Sequence, residues 1–177
     1  MKSSLTTTRF EQDIYCFDAR RPGKHLLILG GIHGNEICGP LALQSLINEI
    51  SSSALEICRG KLTIVPVCNP RAYQEGKRFI EKDLNRFFRR LNSRPDTYEE
   101  NLALELIPLV ETCDYVLDIH SLTIASEPFV IQDYLDENSL AFGAALGFCT
   151  MITGWPEAQK LHQDNPIYDV CACAKTY

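Results

Sequence analysis

The chain has 177 residues, of which 45% are hydrophobic, 23% charged and 9% aromatic. This is the composition of one soluble globular domain spanning 1–177, and it excludes disorder, collagen and fibre. The net charge of −6 argues against a nucleic-acid binder. The N-terminus lacks an apolar core region, and the longest apolar run, 25–32, contains two glycines and is too short to span a bilayer. No membrane partner and a cytoplasmic location are therefore expected.

Residues 24–30 (KHLLILG) lead into Gly30-Gly31 and predict a buried strand followed by a tight turn. Ile37, Leu41, Leu43, Leu46, Ile47 and Ile50 recur at helical spacing up to Ser51-Ser52-Ser53, which predicts a helix. Residues 61–68 (KLTIVPVC) predict the next strand, so the three segments form a β-α-β unit with parallel pairing. The stretch from Arg71 to Arg94 has little periodicity and reads as a long functional loop with a helical turn or two. A helix bent or shifted by Pro108 is expected over 97–112, strands over 114–119 and 128–132, and a small-residue helix over 138–148. Alternation of this kind predicts an α/β fold, a mixed, mostly parallel sheet with helices on both faces.

The eight cysteines stand singly, mostly inside apolar stretches, and no CxxC pair occurs. Buried structural thiols are expected, and neither a disulfide framework nor a zinc knuckle. Charge is unevenly spread: from Arg71 to Arg94 lie eight of the 17 basic residues and three of the 23 acidic ones. Such a segment is either a solvated basic face or a pocket that collects a small anion.

Three features fall at the carboxyl ends of predicted strands, where open α/β sheets place ligands. In GGIHGNE, His33 and Glu36 stand i, i+3 and point the same way if the turn is helical. Asp118-Ile119-His120-Ser121 follows another strand. Two histidines and one glutamate with an open fourth position form a catalytic zinc set, although a hydrogen-bonded structural histidine pair fits the same residues. His25 and His162 read as ordinary. The third feature runs from Arg78 to Arg86, through Asp83 and Asn85. A guanidinium donates two parallel hydrogen bonds to a carboxylate, and an Asn amide can add a donor; the alternative is a surface charge run.

In this order, GGIHGNE, NPRAYQEGKRFIEKDLNRFF and DIHS resemble the succinylglutamate desuccinylase and aspartoacylase family, a branch of the zinc carboxypeptidase-like hydrolases, over residues 24–132. The resemblance implies a zinc-dependent amidohydrolase that removes the acyl group from an N-acyl amino acid such as N-succinylglutamate or N-acetylaspartate. It implies one zinc per chain on His33, Glu36 and His120, with Arg78 polarising the scissile carbonyl and Asn85 with Arg86 binding the carboxylate of a small anionic substrate. Asp83 and Asp118 fall where carboxylates could orient ligands or arginines. Family members are longer, so the zinc carboxypeptidase-like domain is expected to be incomplete at its C-terminus, as a shortened product rather than a shortened relative. The family's general base follows a later strand, and Glu127, Glu137 and Glu157 do not match its context. The chain alone is thus expected to hydrolyse weakly. A zinc carboxypeptidase on short peptides and a non-catalytic metal or anion-binding module are the competing readings, and a homo-oligomer stays open.

Overall fold

Residues 11–88, 94–122, 127–132 and 136–153 are described by a computed structural model of the chain. Four apolar runs pair into one sheet, β1 (Tyr15–Asp18), β2 (His25–Gly30), β3 (Lys61–Val65) and β4 (Tyr115–Ile119), in the spatial order β1-β3-β2-β4. β2 pairs in parallel with β3 on one side and β4 on the other, while β1 adds antiparallel to the outer side of β3. HLLILG and KLTIV are nearly all apolar because central strands of such a sheet are covered on both faces.

Successive side chains of a strand point to opposite faces, so each face has its own core. On one face α1 (Cys38–Ser51) lays Leu43 and Ile47 over Ile28, Leu62 and Ile64. On the other, α3 (Tyr98–Thr112) lays Leu102, Leu106 and Val110 over Leu27, Leu29, Val65 and Val116. Each such buried side chain contributes about 2 kcal/mol of transfer free energy, which anchors both helices. Between β3 and α3 lie the short α2 (Pro70–Glu75) and a 3-10 turn, Leu84–Arg86. A second, parallel pair is formed by β5 (Val130–Gln132) and β6 (Met151–Thr153), joined through α4 (Glu137–Ala145). Among the described residues, no helix is long and apolar enough to cross a membrane.

The mixed, mostly parallel sheet with helices on both faces is the architecture the sequence predicts. Four details differ. β1 and β6 are additional strands, each too short for a periodic signal. β3 stops at Val65, because Pro66 has no N–H to offer, yet the amides of Cys68 and Asn69 still donate to Gly30 and Gly31. Helix α3 continues through Pro108; the carbonyl deprived of its donor belongs to Leu104, on the exposed side of the helix. The thiols are the fourth correction. Cys68 and Cys113 are buried, whereas Cys16, Cys38, Cys58 and Cys149 are exposed, since they fall on the edge strand, at the helix start and in connections rather than in the core. Cys171 and Cys173 lie outside the described residues, as does His162.

Candidate metal centre

The carboxyl ends of β2 and β4 lie side by side, Gly30 opposite Ile119, so the residues that follow each strand emerge together. After β2 the chain bends at Gly31, whose φ of 59° favours glycine. His33 and Glu36 then meet across a tight turn closed by the Glu36 amide donating to the His33 carbonyl at 3.1 Å. The turn is not helical, as α1 begins only at Cys38. Gly34 sits against the backbone of α2, where a Cβ would lie 2.0 Å from the Ala72 carbonyl carbon, and its amide donates to the Arg78 carbonyl. The histidine turn and the arginine segment are therefore fastened to each other through backbone.

Three donor atoms converge. His33 Nδ1 lies 2.9 Å from Glu36 Oε1 and 3.1 Å from His120 Nδ1, and His120 Nδ1 lies 3.0 Å from Glu36 Oε2. His33 and Glu36 are buried, and His120 is half-buried. Each ring presents its other nitrogen to a carboxylate, His33 Nε2 to Asp83 Oδ1 at 3.0 Å and His120 Nε2 to Asp118 Oδ2 at 2.5 Å. An ionised carboxylate only accepts, so each Nε2 carries a proton; a neutral ring then turns its Nδ1 lone pair inward, whereas a protonated one donates from Nδ1 to Glu36. Two lone pairs and a carboxylate within about 3 Å repel unless a cation stands among them. The donor set therefore fits a divalent metal with imidazole and carboxylate ligands, zinc among them, and the outer carboxylates fix the ring tautomers as metal-binding histidines require.

Glu36 also accepts from the Ser121 amide at 2.8 Å and from Arg78 Nη1 at 3.1 Å. Burial pushes its pKa up, but the bonds from His120, His33 and Ser121 outweigh it and hold the carboxylate far below its ordinary range. Burial likewise works against the charge on His33, and the bonds to Asp83 and Glu36 overcome it, so the imidazole pKa is raised. Asp83 is the hub of the arginine segment. Its side chain caps the 3-10 turn by accepting from the Asn85 amide at 3.1 Å, and Arg78 and Arg86 each approach it at 3.9 Å. The Asp83 pKa is depressed, the His33 bond and neighbouring Arg78 outweighing burial.

The basic stretch thus divides in two. Arg71, Lys77 and Lys82 pair with Glu11, Glu75 and Glu100 on the surface, whereas Arg78 and Arg86 share Asp83 beside the donor triad, with Asn85 buried next to them. All six residues singled out in the sequence, His33, Glu36, Arg78, Asn85, Arg86 and His120, therefore gather at one end of the sheet. Glu127 and Glu137 are exposed, the latter in the first turn of α4, and Glu157 lies outside the described residues. The Ser121 amide gave no sequence signal, being a backbone group, and neither did Glu99, whose place beside Glu100 reads as ordinary first-turn acidity.

The chain matches the family described as succinylglutamate desuccinylase/aspartoacylase catalytic domain over residues 22–162. It is 35% identical to the N-acyl-aromatic-L-amino acid amidohydrolase (carboxylate-forming) of Homo sapiens over 116 residues, 59% of this chain and 35% of that protein. It is 34% identical to the succinylglutamate desuccinylase of Pseudomonas paraeruginosa over 93 residues, 52% of this chain and 27% of that protein. An aspartoacylase family protein from Mesorhizobium loti superposes with a TM-score of 0.71 at 26% identity, covering 86% of this chain and 52% of that one. A product-bound ectoine utilization protein from Ruegeria pomeroyi gives 0.66 at 26% identity, covering 89% and 48%. The fold is that of these proteins, the zinc carboxypeptidase type. The chain spans roughly a third of the length of the curated relatives it matches and about half that of these solved structures.

Proposed function

The chain belongs to the succinylglutamate desuccinylase/aspartoacylase family, and from that premise we propose that it forms the metal-binding and substrate-clamping part of a zinc-dependent deacylase acting on a small N-acyl amino acid. The observation that carries this reading is the convergence of His33 Nδ1, His120 Nδ1 and the Glu36 carboxylate beside the Arg78 guanidinium. His33, Glu36 and His120 would hold one zinc ion, which when bound supplies Lewis acidity toward a carbonyl oxygen and acidifies water. Asp83 and Asp118 keep the protons on the outer ring nitrogens and so keep the inner ones available. Arg78, already at the rim of the triad, offers a fixed positive charge to the oxygen of an amide carbonyl as negative charge develops on it. Arg86, with its side chain largely exposed and 3.9 Å from Asp83, would grip a substrate carboxylate in two parallel hydrogen bonds, with the Asn85 amide beside it. The same reading takes 1–177 as one α/β domain and places it in the cytoplasm; the six described cysteines, all unpaired as thiols, support that compartment.

Protein purified without added metal is expected to carry one zinc per chain by elemental analysis, removable by a strong chelator and restored by stoichiometric zinc. Metal content well below one equivalent that zinc does not restore would overturn the assignment. Hydrolysis of N-acetyl and N-succinyl amino acids, read beside short peptides, separates the deacylase from a carboxypeptidase. Arg86→Ala is expected to raise KM for substrates with a free carboxylate, and Arg78→Ala to lower kcat by about 10² or more.

A further inference from the structure

Glu99, in the first turn of α3, has no solvent-accessible surface. A buried carboxylate is costly unless its oxygens are fully hydrogen-bonded, and here they are. Oε1 accepts from the Ile80 amide at 2.7 Å and from the Asn69 side-chain amide at 3.2 Å, while Oε2 accepts from the amides of Glu81 at 3.2 Å and Lys82 at 3.1 Å. Three consecutive backbone N–H groups thus wrap around one carboxylate, the geometry in which a stretch of chain binds an anion. The contact runs both ways, since the Tyr98 amide donates to Glu81 Oε1 at 3.1 Å. Asn69 meanwhile uses its own oxygen to cap α2 through the Ala72 amide.

The wrapped residues are the middle of the arginine segment. Arg78 and Asp83 flank them, and these two reach Glu36 and His33. Residues 79–82 lie outside any helix or strand, so no regular backbone pairing holds them in one shape. We propose that Glu99 is the positioning residue that fixes the segment from Arg78 to Arg86 against the metal centre, by gripping the backbone of Ile80, Glu81 and Lys82 from the opposite side. The proposal rests on the functional reading above only for what the segment does once it is held. The bonds to the ionised form also keep the Glu99 carboxylate charged, outweighing its burial.

Amide hydrogen exchange on the full chain tests the grip directly. Glu99→Gln keeps the shape but turns an NH2 toward backbone donors, so exchange at 80–82 is expected to accelerate about tenfold or more while β2 and β3 keep their protection. Zinc affinity, read by chelator competition on folded protein, should weaken several-fold as Asp83 loses its register with His33. Glu100→Gln is the control. Glu100 sits in the same turn but accepts from the amides of Asp96 and Thr97 and touches Lys82 only through its side-chain Nζ, so Glu100→Gln is expected to lower the melting point and leave both readouts unchanged. Should Glu99→Gln fail to fold, Glu99→Asp, with the charge kept and the reach shortened, is expected to give partial loss of protection at 80–82. Unchanged exchange at 80–82 in either folded Glu99 variant, or an equal change in Glu100→Gln, would overturn the proposal. Wild-type protein that shows the expected exchange pattern but takes up no zinc would leave the grip established and remove the functional reading instead.

Discussion

One histidine opens strand β2 and another stands three residues beyond its end, and the two are held in opposite ways. At its start, His25 bonds the Thr63 hydroxyl at 2.9 Å and the Thr112 carbonyl at 3.2 Å. One ring nitrogen donates to the carbonyl and the other accepts from the hydroxyl, so a neutral imidazole satisfies every partner. Beyond its far end, His33 has acceptors on both sides, Asp83 outside and Glu36 with His120 inside. There two neutral imidazoles would leave both inner nitrogens and Glu36 with no proton to share, so either added protons or a metal ion must make up the balance. What separates a structural histidine from a candidate ligand is this proton balance, and burial or distance alone would not distinguish them.

The difference can be broken most severely at the ligands. His33→Ala and His120→Ala are each expected to abolish stoichiometric zinc by elemental analysis, while His25→Ala retains a full equivalent; zinc retained in both site variants would mean that the two ends do not differ. A smaller effect belongs to the outer carboxylates. Asp83→Asn and Asp118→Asn are expected to weaken zinc binding about 10- to 100-fold in chelator competition, because a neutral amide no longer dictates which ring nitrogen carries the proton. Acid exposes the site end next. Glu99 titrates below its ordinary 4.5, so the stability it provides is fully present above that value and is lost as pH falls through the lower folded value. The urea midpoint of zinc-free wild type should drop more steeply below about pH 4.5 than that of Glu99→Gln, which at neutral pH is about 2 kcal/mol less stable. Smallest is the loss at the neutral end, where His25→Ala should cost about 1 kcal/mol in urea unfolding, with no change in metal affinity.

The strands β2, β3 and β4 were legible because each is an apolar run with turn residues after it, and the parallel β-α-β pairing follows from the helix between the first two. β1 was not, since an edge strand of four residues that alternates in exposure differs little from a loop. The convergence of His33, Glu36 and His120 could be inferred from strand ends plus motif order, but not the atoms used. That both rings turn Nδ1 inward depends on Asp83 and Asp118, and neither spacing states where those carboxylates point. Glu99 was illegible for a related reason: three of its four partners are backbone amides 17 to 19 residues away, and a backbone amide has no letter of its own.

The donors come from distant parts of the chain, His120 standing 84 residues from Glu36 and 87 from His33. Their meeting depends on β4 docking beside β2 in one register, since a slip of a single residue would carry His120 to the opposite face of the sheet. Metal capture is thereby tied to the order of folding. A nascent chain emerging from the ribosome can complete the β2–β3 pair and its helix early, yet it holds at most two of the three ligands until residue 120 is free and the long loop has closed. Tight zinc uptake during synthesis would mark the moment at which that non-local pairing is made.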